Sequence, residues 1–113
     1  MRPEDEIRLR HMLDAATEAL EFLADRNLDD LANDRKLALA LVKEIEIIGE
    51  AAYQMAGQSR AEITDIPWPA VINMRHRLVH AYHDINLEAV LSTVQEDLPP
   101  LMEALEKFLD ADT

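Results

Sequence analysis

Residues 33–56, NDRKLALALVKEIEIIGEAAYQMA, decide the fold class. Leu37, Leu41, Ile45, Ile48, Ala52 and Met55 recur at intervals of four and three, which draws one apolar stripe down an α-helix. The stripe predicts a helix from near Asp30 or Asn33 to Ala56. Gly49 inside it costs about 1 kcal/mol relative to alanine, and close approach of another helix is the expected reason. Gly57 stands where a C-terminal cap belongs.

Upstream, Pro3 suits a first helical position and Glu4, Asp5 and Glu6 complement the positive end of a helix dipole. Leu9, Leu13, Ala16, Leu20 and Leu23 then predict a helix from Pro3 to about Asp25. Downstream, Gln58 to Asp65 reads as a polar loop. Ile66-Pro67-Trp68-Pro69 opens a third predicted helix running from Pro67 to Tyr82, because prolines are tolerated in a first turn. Asp84 and Asn86 supply turn and N-cap chemistry. Val90, Val94, Leu98, Leu101, Leu105 and Phe108 mark the last helical segment from Leu87, which Pro99 and Pro100 must kink or split. The expectation is an all-α, antiparallel four- to five-helix bundle forming a single domain over residues 1–113.

Composition agrees. The chain has 113 residues, 49% of them hydrophobic, with two glycines and no cysteine. A disulfide framework and a thiolate metal site are thereby excluded. The N-terminal MRPEDEIRLR has no apolar core of a signal peptide, and no apolar run nears the roughly 20 residues of a membrane span, so a cytoplasmic protein is expected. The net charge of −12 opposes bulk binding to nucleic acid. Of the 11 Lys and Arg and the 4 His, however, Arg75, Arg77, His76, His80 and His83 all fall between residues 75 and 83, a segment without an acid.

That segment, MRHRLVHAYHD from Met74 to Asp84, carries the candidate chemistry. Histidine suits proton transfer near neutral pH, and the arginine fork fits phosphate. The nearby Tyr82 phenol adds a donor and a modifiable hydroxyl. This set is suited to RNA cleavage without a metal: one group deprotonates the ribose 2′-hydroxyl, Arg stabilises the charge on phosphorus, and a donor releases the 5′-oxygen. On an ideal helix Arg75 and Tyr82 share a face, whereas Arg75 and His80 differ by about 140° in direction. A composite site in a homodimer cleft solves that mismatch. A competing metal reading places His76, His80 and His83 on one helical face, but Arg75 and Arg77 would repel the cation and Asp84 and Asn86 signal that the helix is ending.

The stretch IPWPAVINMRHRLVHAYHDIN, Ile66 to Asn86, resembles the HepT-like branch of the HEPN superfamily. Ile47-Ile48-Gly49-Glu50-Ala51-Ala52 and Asp97-Leu98-Pro99-Pro100-Leu101 are similar to the flanking helices of that family. The resemblance implies a homodimeric, metal-independent endoribonuclease toxin that needs no cofactor. It further implies a toxin–antitoxin system with a minimal nucleotidyltransferase antitoxin of the MntA type. Arg75 and His80 would be the catalytic pair. His76 and Arg77 would support them, and Tyr82 would both support them and be the hydroxyl that the antitoxin AMPylates from ATP. RNA, tRNA or mRNA, would be the substrate. His76, Ala81 and His83 replace residues commoner in that branch without removing the motif. Glu50 is a candidate for orienting an Arg or His. Two other readings compete: a non-catalytic helical binding module for the nucleotidyltransferase, and a nucleotide-binding regulatory subunit whose basic patch holds ATP phosphates.

Overall fold

The computed structural model describes residues 1–79 and 84–111. It is an all-α bundle, and no strand occurs among the described residues. Two long antiparallel helices, α1 (Pro3–Leu23) and α3 (Arg35–Gln54), form its spine. Ala15, Ala16 and Ala19 are buried on α1, where their small size permits the close approach. The expected stripe is rotated slightly: Leu9, Met12, Ala16, Ala19 and Leu23 are buried, while Leu13 and Leu20 lie at its edge. All six expected stripe residues are buried, five on α3 and Met55 at its C-cap.

Of the two expected starts of the second helix, the later one, near Asn33, holds, and Asp30 falls in a separate short helix. α2 (Leu28–Asn33) begins with a capping box, in which Asn27 and Asp30 exchange side-chain-to-amide hydrogen bonds of 3.0 and 2.9 Å. Asp34 then caps α3, its carboxylate accepting from the Leu37 amide at 3.1 Å and from Arg26 at 3.0 Å. A strong N-cap within an apolar periodic run divides it. At the far end, α3 is closed by Met55 in extended backbone, and Gly57 instead starts a short α4 (Gly57–Ala61) within the expected polar loop. Gly57 has no positive φ, so the left-handed cap expected there is absent.

The C-terminal rod is α6 (Leu87–Ser92), a π segment (Thr93–Asp97) and α7 (Leu98–Ala111). Pro99 lacks an amide hydrogen and its ring would collide with the carbonyl four residues earlier in an α-helix. The wider π turn accommodates this, so the expected proline split falls just before the prolines. Leu98, Leu101, Leu105 and Leu109 bury one side of α7 in the common core.

One buried group opposes this packing. Glu44, 6% exposed, lies where α3 meets α1, and its Oε2 has no hydrogen-bond partner. Burial, followed by the hydrogen bond and charge of Glu18, pushes its carboxyl up to about 7. A carboxyl whose folded pKa lies above its unfolded value favours folding while protonated, and that stability is lost as pH rises from about 4.5 through about 7. Glu44→Gln keeps the shape without the charge. It is expected to add about 2 kcal/mol at pH 8 and nothing resolvable at pH 4. Urea midpoints at the two pH values check this; an equal gain at both would sink the assignment.

Candidate ribonuclease groove

Helix α5 (Trp68–Ile72) enters on Pro67 and Pro69. Its Trp68 indole N–H donates to the carbonyls of Arg60 and Ile63 at 2.9 and 3.1 Å, tying it to α4. The predicted continuation to Tyr82 does not form. Asn73, at φ −97° and ψ 4°, ends the helix, and its side-chain amide donates to the Pro69 carbonyl at 2.9 Å. Asparagine competes for backbone carbonyls in this way, and helix ends supply unsatisfied ones. A 3-10 turn, Met74–Arg77, follows.

Three residues per turn spread Arg75, His76 and Arg77 by about 120° each, so they cannot all face one ligand. Arg75 and His76 are exposed on a groove beside α3. Arg77 faces the other way, donating to Thr93 Oγ1 at 2.9 Å and to the Asp97 carboxylate at 3.1 Å. It braces the π segment and does not line the groove.

The chain then leaves the core at Leu78, which is fully buried, and Val79. Val79 pairs with Ile85 in an isolated antiparallel bridge, and the Asn86 amide donates to the Leu78 carbonyl at 2.7 Å. His80, Tyr82 and His83 fall between these anchors and lie outside the described residues. The α-helix ends at Ile72 and the 3-10 turn at Arg77, so no continuous α-helix runs from Arg75 through the described residues towards Tyr82. The expected faces of Arg75 with Tyr82, and of His76 with His80 and His83, fall partly outside the described residues.

The groove is an open cavity of about 680 Å³ between α1, α3 and the end of α5. Gly49 forms part of its wall, and a Cβ there would meet the Ile72 carbonyl at 3.3 Å and the Val71 carbonyl at 3.4 Å. The expected close approach to Gly49 is therefore real, and its neighbour is the backbone leading into the motif. Arg8 and His11 from α1 and Lys43 from α3 line the groove with Arg75 and His76. Its charged lining is Arg8, Lys43 and Arg75 against Glu46 and Glu50, in a chain of net charge −12. No ion pair among the described residues engages Lys43 or Arg75. Arg8 is held by Asp5, Nη1 to Oδ1 at 2.7 Å. Glu50 accepts from Gln54 at 2.9 Å and orients neither an arginine nor a histidine among the described residues.

Arg8, His11 and Lys43 are absent from the motif because they lie up to 67 positions from Arg75 in the chain. One signal points to them. Gly49 marks where α3 abuts another backbone, and Lys43, Glu46, Glu50 and Tyr53 lie on turns of α3 to either side of it.

All-α architecture, a groove that carries cations and the Arg75 segment define a helical domain of the ribonuclease HepT-like class: residues 12–108 match the family described as Ribonuclease HepT-like, and the chain belongs to that family. Among its relatives is the protein named "Probable ribonuclease HepT" of Thermococcus cleftensis, 33% identical over 78% of this chain and 80% of that protein. A "Putative RNase" of Methanocaldococcus jannaschii is 28% identical over 87% of this chain and 90% of its own length. A second protein of that organism, named "Gamma-glutamylcyclotransferase and putative RNase", is 31% identical over 97% of this chain, which spans half the length of that relative. No solved structure matches the chain significantly. No helix among the described residues is long and apolar enough to cross a membrane.

Proposed function

We propose that this chain is a metal-independent endoribonuclease, the toxin of a toxin–antitoxin pair, with Arg75 and His80 as its catalytic residues. The observation that carries the reading is Arg75 itself. It is exposed, free of any ion pair among the described residues, and set in a groove that also carries Arg8 and Lys43 in an acidic protein. A cation left unpaired beside other cations is available for an anionic ligand.

His80 lies five residues after Arg75 in the chain, outside the described residues, and its part in the pair rests on the sequence motif. The 2′-oxygen of a ribose would attack the adjacent phosphorus while one group takes its proton. Arg75 would bind the oxygens that gain charge, and a second group would protonate the departing 5′-oxygen. A two-fold homodimer would set two such segments together and double the local positive charge. Tyr82, two residues beyond His80, is the proposed target of a nucleotidyltransferase antitoxin. A bulky, anionic AMP group on its hydroxyl would block a phosphate-binding site by charge and by volume.

The acidic remainder of the surface favours a second reading, a non-catalytic module that binds the nucleotidyltransferase. The deciding experiment is incubation of unmodified protein, shown to be dimeric by light scattering, with labelled RNAs including tRNA in EDTA. Cleavage that survives chelation supports the ribonuclease; intact RNA in every class moves the assignment to the binding module. After co-expression with a nucleotidyltransferase, intact mass is expected to rise by whole AMP units. Tyr82→Phe is expected to abolish that rise, and an unchanged shift in this variant would remove Tyr82 as the target.

A further inference from the structure

The groove extends well past the motif. From Arg75 and His76 it follows the seam between α1 and α3, and Tyr53 stands on its wall. At 64% exposed, Tyr53 is the most open large apolar side chain among the described residues, and no hydrogen bond among them engages its hydroxyl. The Ala56 amide donates to Asp5 at 3.2 Å, which pairs the start of α1 with the end of α3, and Arg8 and Tyr53 both line the groove at that end of the seam. Lys43 lies ten residues back along α3 from Tyr53, about 15 Å away.

An exposed aromatic face in a groove that also carries cations has a defined complement. Every nucleobase presents a π-face, and a base stacks on an aromatic side chain only when it is not already stacked inside a duplex. The phosphates of such a strand are met by Lys and Arg side chains along the groove.

We propose that Tyr53 is a stacking platform for an unpaired base, with Arg8 beside it and Lys43 farther along the groove holding backbone phosphates, so that the substrate is single-stranded RNA laid along the α1–α3 seam and led to Arg75. This rests on the ribonuclease reading of the groove and specifies the class of RNA it takes. Tyr53 is a binding residue, remote from the reacting atoms.

The test measures binding apart from cleavage. A short fluorescein-labelled single-stranded RNA is titrated by anisotropy into His80→Ala protein carrying each further change. Tyr53→Ala is expected to weaken binding by about 10- to 100-fold, while Tyr53→Phe and Tyr53→Trp, which keep a ring, retain it. With an abasic strand of equal length the Tyr53→Ala loss should vanish, whereas the Lys43→Ala loss should persist and shrink as salt rises. Equal affinity of Tyr53→Ala and its parent for the base-bearing strand overturns the proposal. So does a loss accompanied by a change in mass by light scattering, which would make the ring a protein contact. Because Tyr53 is exposed, its variants are expected to fold. Failure of the wild type to cleave RNA would count against the ribonuclease alone, since the binding series decides the stacking site independently.

Discussion

Arg75→Ala and His80→Ala are each expected to reduce kcat on RNA by about 10²–10⁴-fold, while thermal stability in Arg75→Ala stays unchanged. The kinetic loss is large because each residue meets charge or a proton that exists only in the transition state, so kcat falls with kcat/KM. The stability is indifferent because Arg75 is exposed and makes no ion pair among the described residues. The double variant should be little worse than the poorer single one, since residues acting on one step are not additive. Arg77→Ala is the internal control. It loses the contacts to Thr93 and Asp97, so its cost is expected in stability, about 1 kcal/mol, with kcat within a few-fold of wild type. Single-turnover cleavage beside urea denaturation separates the three. Should Arg77→Ala abolish cleavage and Arg75→Ala spare it, the groove is not the catalytic surface.

That contrast marks what the sequence could and could not reveal. In MRHR two arginines flank a histidine, and on paper both suit a phosphate. Only the change from α to 3-10 geometry at Asn73 sends Arg77 to the π segment and Arg75 to the groove. The run from Val71 to Val79 keeps apolar residues at helical spacing, so periodicity alone extends the helix. The break depends on the Asn73 side chain capturing the Pro69 carbonyl and on tertiary burial of Met74 and Leu78. The α3 stripe, the role of Gly49 and the split before Pro99 were legible because each depends on local sterics or on one helical period. The cations Arg8, His11 and Lys43 were not, because they join the motif only through the packing of α1 on α3. Arg77, a supporting candidate in the motif, donates to Thr93 and Asp97 on the other side of the turn.

The same packing makes Asp5 the residue whose loss should cost most. Its carboxylate is fully buried at the start of α1, accepting from Ser59 Oγ at 2.6 Å, the Ala56 amide at 3.2 Å and Arg8 Nη1 at 2.7 Å. It thus ties the N-terminus of α1 to the turn after α3 while fixing a groove cation. Asp5→Ala leaves a buried hydroxyl and a backbone amide unpaired and frees Arg8, for an expected loss of about 3 kcal/mol, read as a Tm lower by roughly 10 °C. Burial pushes the Asp5 carboxyl up, but the hydrogen bonds from Ser59, Arg8 and Ala56 outweigh it and hold it below the ordinary 3.8. A carboxyl depressed in the folded state adds stability above its unfolded pKa and loses it as pH falls through the folded one. The gap between wild type and Asp5→Ala should therefore be full at neutral pH and shrink only below about pH 4. Glu44 runs the opposite way, costing stability as pH rises towards 7, so the two buried carboxylates confine the most stable range to mildly acidic pH. If Asp5→Ala melts like wild type at pH 7, the network is dispensable, and the pairing of α1 with α3 must be held by the apolar seam alone.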